Sequence, residues 1–338
     1  MRILLWHVHG SWTTSFVQGA HTYLVPVNPA RDEDGRGRAQ TWDWPSSVVE
    51  VGAEELRSTP VDLVLLQRPQ ELALAESWLG RRPGEEVAAV YLEHNTPLGA
   101  EPEVPGSRHP LAGQRRIPIV HVTGFNDLFW DCGEAPTSVI EHGVIDPGHR
   151  YRGDIRRAAA VVNDPVRRGR SVGTDLLLSL AKDLAATGSG LDLFGMRVDE
   201  LPPTPGLATY EDLPQEAMHA ELARRAAYVH ASRWTSLGLS LLEARMLGMP
   251  VVALGTTEAP VAVPPGTGAV TTRRSELLPA VRRFLDDSAL ATETGTAGRH
   301  HALSRYGLKR FLDDWDALLA TVTTNLTRRH SPAARGRR

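Results

Sequence analysis

Residues 232–254 read Ser-Arg-Trp-Thr-Ser-Leu-Gly-Leu-Ser-Leu-Leu-Glu-Ala-Arg-Met-Leu-Gly-Met-Pro-Val-Val-Ala-Leu, and the fold is decided here. The hydroxyl residues Ser232, Thr235 and Ser236 favour a turn and can cap a helix. Gly238 lets the backbone approach a ligand with no Cβ in the way. Leu239, Leu242, Met246 and Leu247 recur at helical spacing, which predicts a mostly buried helix. Gly248-Met249-Pro250 stops it, and residues 251–254 form a short buried strand. One acid, Glu243, sits inside that apolar helix, where a carboxylate is costly unless it is hydrogen-bonded. A helix N-terminus with free N–H groups suits a phosphate, and an acid further along can reach a ribose hydroxyl. The combination suggests a nucleotide site. The plain alternative is a buried helix feeding a strand.

The same residues resemble the signature of family-4-type glycosyltransferases (glycosyl transferases group 1). There, two glutamates eight positions apart flank a G-L-x-x-L-E-A core that is followed by G-x-P-V-V-A. Leu237, Gly238, Leu239, Leu242, Glu243 and Ala244 match, as do Gly248 and Pro250 through Ala253. Thr235 stands in place of the first glutamate, which in the family helps hold the transferred sugar. The second, which holds the nucleotide ribose, is retained as Glu243. The resemblance implies an α/β chain of GT-B architecture, two Rossmann-like domains facing a cleft. It also implies a retaining, metal-independent transfer of sugar from a nucleotide-diphosphate sugar to an acceptor hydroxyl, with no cofactor beyond that donor.

Composition is compatible with this. A chain of 338 residues is long enough for two cores, and 41% hydrophobic content is ordinary with no run approaching a membrane span. Met1-Arg2 leads directly into an apolar strand, with no leader pattern. The single cysteine, Cys132, excludes a disulfide framework and any multi-cysteine metal site, so a cytoplasmic protein is expected. A net charge of −3 gives no drive towards nucleic acid. The N-terminal half shows no basic amphipathic helix for membrane docking, which favours a soluble acceptor.

Strands are expected at 2–8, 23–27, 61–66, 87–92 and 119–122, with helices at 15–20, 69–79 and 126–130 and a mobile polar loop over 29–44. After a linker the alternation restarts. Strands are expected at 158–162, 191–194, 227–231 and 251–254, and helices at 174–184, 214–225, 276–285, 289–305 and 308–324. Domains of 1–150 (acceptor) and 151–327 (donor) follow, the last helix crossing back onto the first domain, with a basic disordered tail at 328–338. Val139 through Pro147 resemble the V-I-P-N-G-V-D passage that ends the first domain in this family, with Glu141 and His142 in place of its proline and asparagine.

A diphosphate leaving group needs fixed positive charge and N–H groups. The loop 163–173 carries Arg167, Arg168 and Arg170 where the family has an arginine and a lysine; the K-G-x-D element reads Val172-Gly173-Thr174-Asp175, without its lysine. Arg168 or Arg170 is the expected clamp, against a simple solvated basic loop. Gly10 and Ser11 are similar to the family's phosphate-approaching loop, and Trp12 is expected to stack on an acceptor, unless this is an ordinary turn. His94 matches a family histidine near the transferred sugar, against a structural histidine. Glu258 is expected at the donor sugar, partly filling the role left by Thr235, against an exposed loop acid. Two other classes compete. One is a non-catalytic nucleotide-sugar binder, suggested by Thr235 and the missing lysine. The other is a barrel amidohydrolase with a metal held by His7 and His9.

Overall fold

The apolar run after Met1 folds as β1 (Arg2–Leu5), with Ile3, Leu4 and Leu5 fully buried. The structure is a computed structural model that describes residues 1–97 and 107–330. The chain divides into two compact units, Met1–Gly143 with the chain from Leu308 onward, and Val144–Gly307.

In the first unit β1 is followed by α1 (Gly10–Phe16), β2 (Thr22–Pro26), β3 (Val48–Val51), α2 (Ala53–Leu56), β4 (Leu63–Leu66), α3 (Glu71–Leu79), β5 (Ala88–Glu93), β6 (Ile119–His121), α4 (Gly124–Phe129) and β7 (Thr137–Val139). The sheet is parallel, in the order β3-β2-β1-β4-β5-β6-β7. Its central strands β4 and β5 are buried at every position, the pattern of a parallel sheet covered on both faces.

The second unit runs β8 (Ile155–Val161), α5 (Pro165–Arg168), α6 (Thr174–Ala185), β9 (Leu191–Gly195), β10 (Leu207–Glu211), α7 (Gln215–Leu222), β11 (Arg225–His230), α8 (Leu239–Met246), β12 (Val251–Leu254), α9 (Ala259–Ala262), β13 (Ala269–Thr271), α10 (Arg274–Asp286) and α11 (Ser288–Tyr306). Its sheet is also parallel, in the order β10-β9-β8-β11-β12-β13. Each sheet grows outward from its first strand, then restarts on that strand's other side. The reversals fall between β1 and β4, and between β8 and β11. In open parallel sheets the crevice beyond the carboxyl ends of such strands receives the ligand.

The last helix, α12 (Leu308–His330), belongs to the first unit. Its buried Phe311 and Trp315 pack their rings 5.9 and 5.6 Å from Trp12 of α1. Arg310 donates to the carbonyls of Glu141 (2.9 Å) and His142 (2.7 Å). Among the described residues no helix is long and apolar enough to cross a membrane.

Several boundaries differ from the sequence expectation. The units part at 143/144, not at 150. The helix expected at 15–20 starts at Gly10, because Trp12 and Phe16, one turn apart, set the buried face. The polar loop over 29–44 is stitched down: Arg38 donates to the Pro45 carbonyl at 3.0 Å, and Trp44 is buried with its Nε1 donating to Thr14 Oγ1 at 2.8 Å. The helix expected to run through 225 ends at Leu222, and Arg225 opens β11. Helix α12 runs on through 328–330, and the rest of the expected tail, 331–338, lies outside the described residues.

Candidate functional site

At the carboxyl end of β8 the chain turns through α5 and one 3-10 turn (Gly169–Val172) before α6 begins. Gly173 makes this path possible. Its φ is +80°, and a Cβ on it would lie 2.0 Å from the carbonyl oxygen of Ala231, just past β11. The turn therefore rests directly on the backbone of the neighbouring loop. That loop answers with two hydrogen bonds, from the N–H groups of Arg233 (2.8 Å) and Trp234 (3.1 Å) to the Ser171 carbonyl. Gly173→Ala is expected to cost about 3 kcal/mol, from positive-φ strain plus overpacking against backbone that cannot move aside. Chemical denaturation checks this; a loss below about 1 kcal/mol would mean that the two loops separate easily.

The arginines of the turn differ in what they face. Arg167 pairs with Asp164 at 2.8 Å and Arg170 with Asp175 at 2.9 Å, both at the surface. Arg168 is half-buried, and among the described residues its guanidinium has no hydrogen bond or ion pair. Burial, reinforced by the charge of Arg167, holds its pKa below the ordinary arginine value. Such a cation is stabilised by any anion that reaches it. Arg233, which the sequence reading passed over, grips Asp175 through both terminal nitrogens, at 2.6 and 2.9 Å. It thereby ties the loop after β11 to the start of α6.

Helix α8 begins after Gly238, and no side chain caps it. A Cβ on Gly238 would meet Cε1 of His230 at 2.7 Å. Burial pushes the His230 pKa down to about 4, so a neutral ring packs against the helix start. Ser236 and Leu237 are buried and Thr235 half-buried. The hydroxyl of Thr256 donates to the Ser232 carbonyl at 2.7 Å, and the Glu258 N–H to that of Ser236 at 3.4 Å. Glu258 itself, at the start of α9, is buried instead of exposed.

Glu243 is 5% exposed. Its Oε1 accepts from Gln215 Nε2 at 3.1 Å and its Oε2 from His219 Nε2 at 3.3 Å, both residues on α7. Two donors offset the cost of burying the carboxylate, and each oxygen keeps a further lone pair for a hydroxyl.

In the first unit, Gly10 opens α1 beneath the ring of Trp42; a Cβ there would fall 1.8 Å from its Cζ3. Ser11 is half-buried beside it. Trp12 is a correction. It is 1% exposed, stacked on Phe16 at 4.8 Å and edged by Trp315 and Phe311, so its ring offers no face to an acceptor. The half-buried Trp42 is the tryptophan that lies over this turn.

His94, at the end of β5, is buried, with Nε2 3.1 Å from Gln67 Oε1. The rings of His9 and His142 lie 3.9 and 6.4 Å from its own. Burial, then the two neighbouring imidazoles, hold the His94 pKa well below its usual value. Burial likewise takes His9 to about 4 and His142 to about 3, so the three rings are neutral near pH 7. His7 turns elsewhere: its Nδ1 meets the Gly37 carbonyl at 3.1 Å and its ring packs on Trp44. The imidazoles of His7 and His9 do not converge, and two open sheets are not a closed barrel. The amidohydrolase alternative is thereby overturned.

At the reversal of the second sheet the structure thus sets two hydrogen-bonded loops, the buried acid Glu243 and Arg168, an arginine that is unpaired among the described residues. Residues 199–301 match the family described as Glycosyl transferases group 1. The match is to this segment, under a third of the chain. The match takes in Glu243 and the whole of α8. No curated protein matches the sequence. Among solved structures, sucrose-phosphate synthase from Thermosynechococcus elongatus is similar with a TM-score of 0.69 over 96% of this chain and 100% of that chain, at 13% identity. HepE from Anabaena, in complex with UDP, gives 0.66 over 95% and 100%, at 15% identity. TarM from S. aureus gives 0.60 at 14% identity over 76% of this chain; this chain covers 55% of TarM, about half its length. The fold is GT-B, that of these glycosyltransferase structures, and the segment 199–301 is similar to the group 1 family.

Within this glycosyltransferase fold the structure brings Arg168, Gly173, Ser236, Leu237 and Gly238 to one end of the second sheet, with Glu243 further along α8. Gly10, Ser11 and His94 lie at the carboxyl end of the other sheet, in the other unit. No sequence pattern marks Gln215 and His219, which hold Glu243. A buried acid does imply donors, but only the packing of α7 on this end of the sheet shows which they are.

Proposed function

We propose that the protein transfers a sugar from a nucleotide-diphosphate sugar to an acceptor hydroxyl, with retention of configuration and without a metal ion. The observation that carries this is the pair formed by Glu243, held by two donors, and Arg168, a half-buried cation without a counter-ion. Glu243 would accept from the ribose hydroxyls. Arg168 and the uncapped N–H groups at the start of α8 would stabilise the diphosphate as it departs, a role that fixed dipoles and a guanidinium fill in a dry site. Thr235, Ser236, Leu237 and Glu258 would line the donor, and Gly10, Ser11 and His94 a sugar or acceptor group. HepE and TarM have been crystallised with UDP, which makes uridine nucleotides the first donors to try. A soluble acceptor and a cytoplasmic location belong to the same proposal.

Thr235, at the place of the family's first glutamate, and Val172, at the place of its lysine, favour a second reading as a binder without turnover. Thermal-shift screening with UDP-, GDP-, ADP- and TDP-sugars, followed by product analysis with and without EDTA, decides between them. One donor is expected to raise the melting temperature and to turn over equally well in EDTA. Stabilisation with neither hydrolysis nor transfer would establish the binder. Loss of turnover in EDTA would overturn metal independence.

A further inference from the structure

The 3-10 turn that follows Arg168 is only loosely fixed by its own chain. It opens at Gly169, with φ of +47°, and hands over to α6 at Gly173, with φ of +80°, a backbone region that glycine enters freely. A Cβ on Gly169 would meet nothing within 4 Å, so no packing confines that end. Within the turn, the Ser171 hydroxyl donates to the Arg168 carbonyl at 2.7 Å, and the Gly173 N–H to the Arg170 carbonyl at 3.1 Å. The loop after β11 supplies further holds, chiefly through Arg233.

Arg233 reaches the turn by backbone and side chain together. Its N–H donates to the Ser171 carbonyl at 2.8 Å, beside that of Trp234 at 3.1 Å. Its Nη1 has two hydrogens, one for the Arg170 carbonyl at 2.8 Å and one for Asp175 Oδ1 at 2.6 Å, while Nη2 donates to Oδ2 at 2.9 Å. These bonds hold the Asp175 carboxyl below the usual carboxylate range. Asp175 stands in the first turn of α6, whose Leu176, Leu177 and Leu180 are in the core, so the clamp ties the turn to a fixed element. A planar fork suits this arrangement; an ammonium cannot make the parallel pair and reach the carbonyl as well. Asp175 also neutralises Arg233, which is thereby spent as a cation for a ligand. Arg167 and Arg170 are paired with acids too. Arg168 alone of these has none among the described residues, so the backbone it hangs from decides where its guanidinium stands.

We propose that Arg233 is a positioning residue: by clamping Asp175 and the carbonyls of Arg170 and Ser171, it sets the turn 169–172 so that the Arg168 guanidinium stands where the donor diphosphate departs. The proposal rests on the transferase reading above. A guanidinium stabilises a departing anion only if it is already in place, so loosening the turn costs rate more than binding.

A double-mutant cycle of Arg233→Lys and Arg168→Ala tests this, with UDP-, GDP-, ADP- or TDP-glucose as donor. Arg233→Lys keeps the charge and breaks the fork. Alone it is expected to lower kcat about 10- to 100-fold with little change in the donor KM. In the Arg168→Ala background it is expected to lower kcat no further, because the group it positions is gone. Losses that multiply across the cycle would overturn the proposal. So would a raised KM with kcat intact, the pattern of a direct binding contact. Phenylglyoxal modification of Arg168, followed by peptide mass spectrometry, reads the same turn with no ligand present. Arg168 is expected to react faster in Arg233→Lys than in the wild-type protein, and an equal rate would overturn the proposal. A thermal melt shows whether the variant folds; if it does not, Arg233→Gln, which also lacks the fork, takes its place in both experiments. If the wild-type protein turns over no nucleotide sugar, the transferase reading falls and the diphosphate role of Arg168 with it. The modification rate still decides whether Arg233 fixes the turn.

Discussion

Acidification from pH 7 to pH 5 is expected to unfold the first unit before the second. Six buried or half-buried imidazoles, His7 among them, have folded-state pKa values below the usual 6.5. Burial lowers His9, His121 and His230 to about 4 and His142 to about 3, and His94 is held well below its usual value. The sign follows from linkage. The folded state prefers the neutral ring, so the stability is fully present above the unfolded pKa and is lost as pH falls from 6.5 towards 4. Each of the four groups held at about 4 or below forfeits about 2 kcal/mol by pH 5. Five of the six, His7, His9, His94, His121 and His142, lie in the first unit, and His230 lies in the second. From His9, His121 and His142 alone the first unit thus loses on the order of 6 kcal/mol, within the range of a whole domain's stability, and the second about 2 kcal/mol from His230. Intrinsic fluorescence reads this selectively, because Trp6, Trp12, Trp42, Trp44, Trp78, Trp130 and Trp315 are in the first unit and Trp234 is in the second. The fluorescence transition should come at higher pH than the loss of far-ultraviolet circular dichroism is complete. His142→Phe removes a ring whose two nitrogens have no hydrogen-bond partner among the described residues, and it should shift the fluorescence midpoint to lower pH. A single transition below pH 4 in both signals would show that these rings are not held neutral.

The same burial explains which parts of the structure were legible in the sequence. Strands β4, β5, β11 and β12 are buried throughout, so β4 and β12 read as unbroken apolar runs, and β5 and β11 as apolar runs with a polar residue only at their ends. The strands that the sequence reading missed are β3, β7, β10 and β13, and these are the four sheet edges. An edge strand is short and half wet; Thr137–Val139 of β7 has no buried residue and gives no apolar signal. In the candidate site, Glu243 was legible because an acid in an apolar helix demands donors. Telling Arg168 from Arg170 was not, because it depends on where Asp164 and Asp175 are brought by the fold. The same limit applied to the tryptophans. Trp12 and Trp42 differ little as letters, but α12 encloses one, and the loop after β2 lays the other over Gly10.

Glu243→Ala and Arg168→Ala are expected to damage donor handling in different ways. Removing the Glu243 carboxylate deletes the acceptor proposed for the ribose and takes away a hydrogen bond from each of Gln215 and His219. A charge-assisted hydrogen bond is worth about 1.5–3 kcal/mol, so nucleotide affinity should fall on the order of 100-fold. That loss should appear in binding of the nucleotide alone, since the ribose is common to substrate and product. Glu243→Gln keeps one acceptor and the volume, and should recover part of it. Arg168 makes its contribution where charge develops. Its removal should lower kcat by about 100-fold or more while weakening ground-state binding less, the pattern left by losing a fixed donor to a departing anion. Arg170→Ala should lose less, because that guanidinium is already paired with Asp175. Calorimetric titration with the donor nucleotide and single-turnover assays with its sugar separate the two effects. If Arg168→Ala reduced affinity and left kcat intact, the guanidinium would be a binding contact only, and the departing charge would have to be met by the N–H groups that open α8.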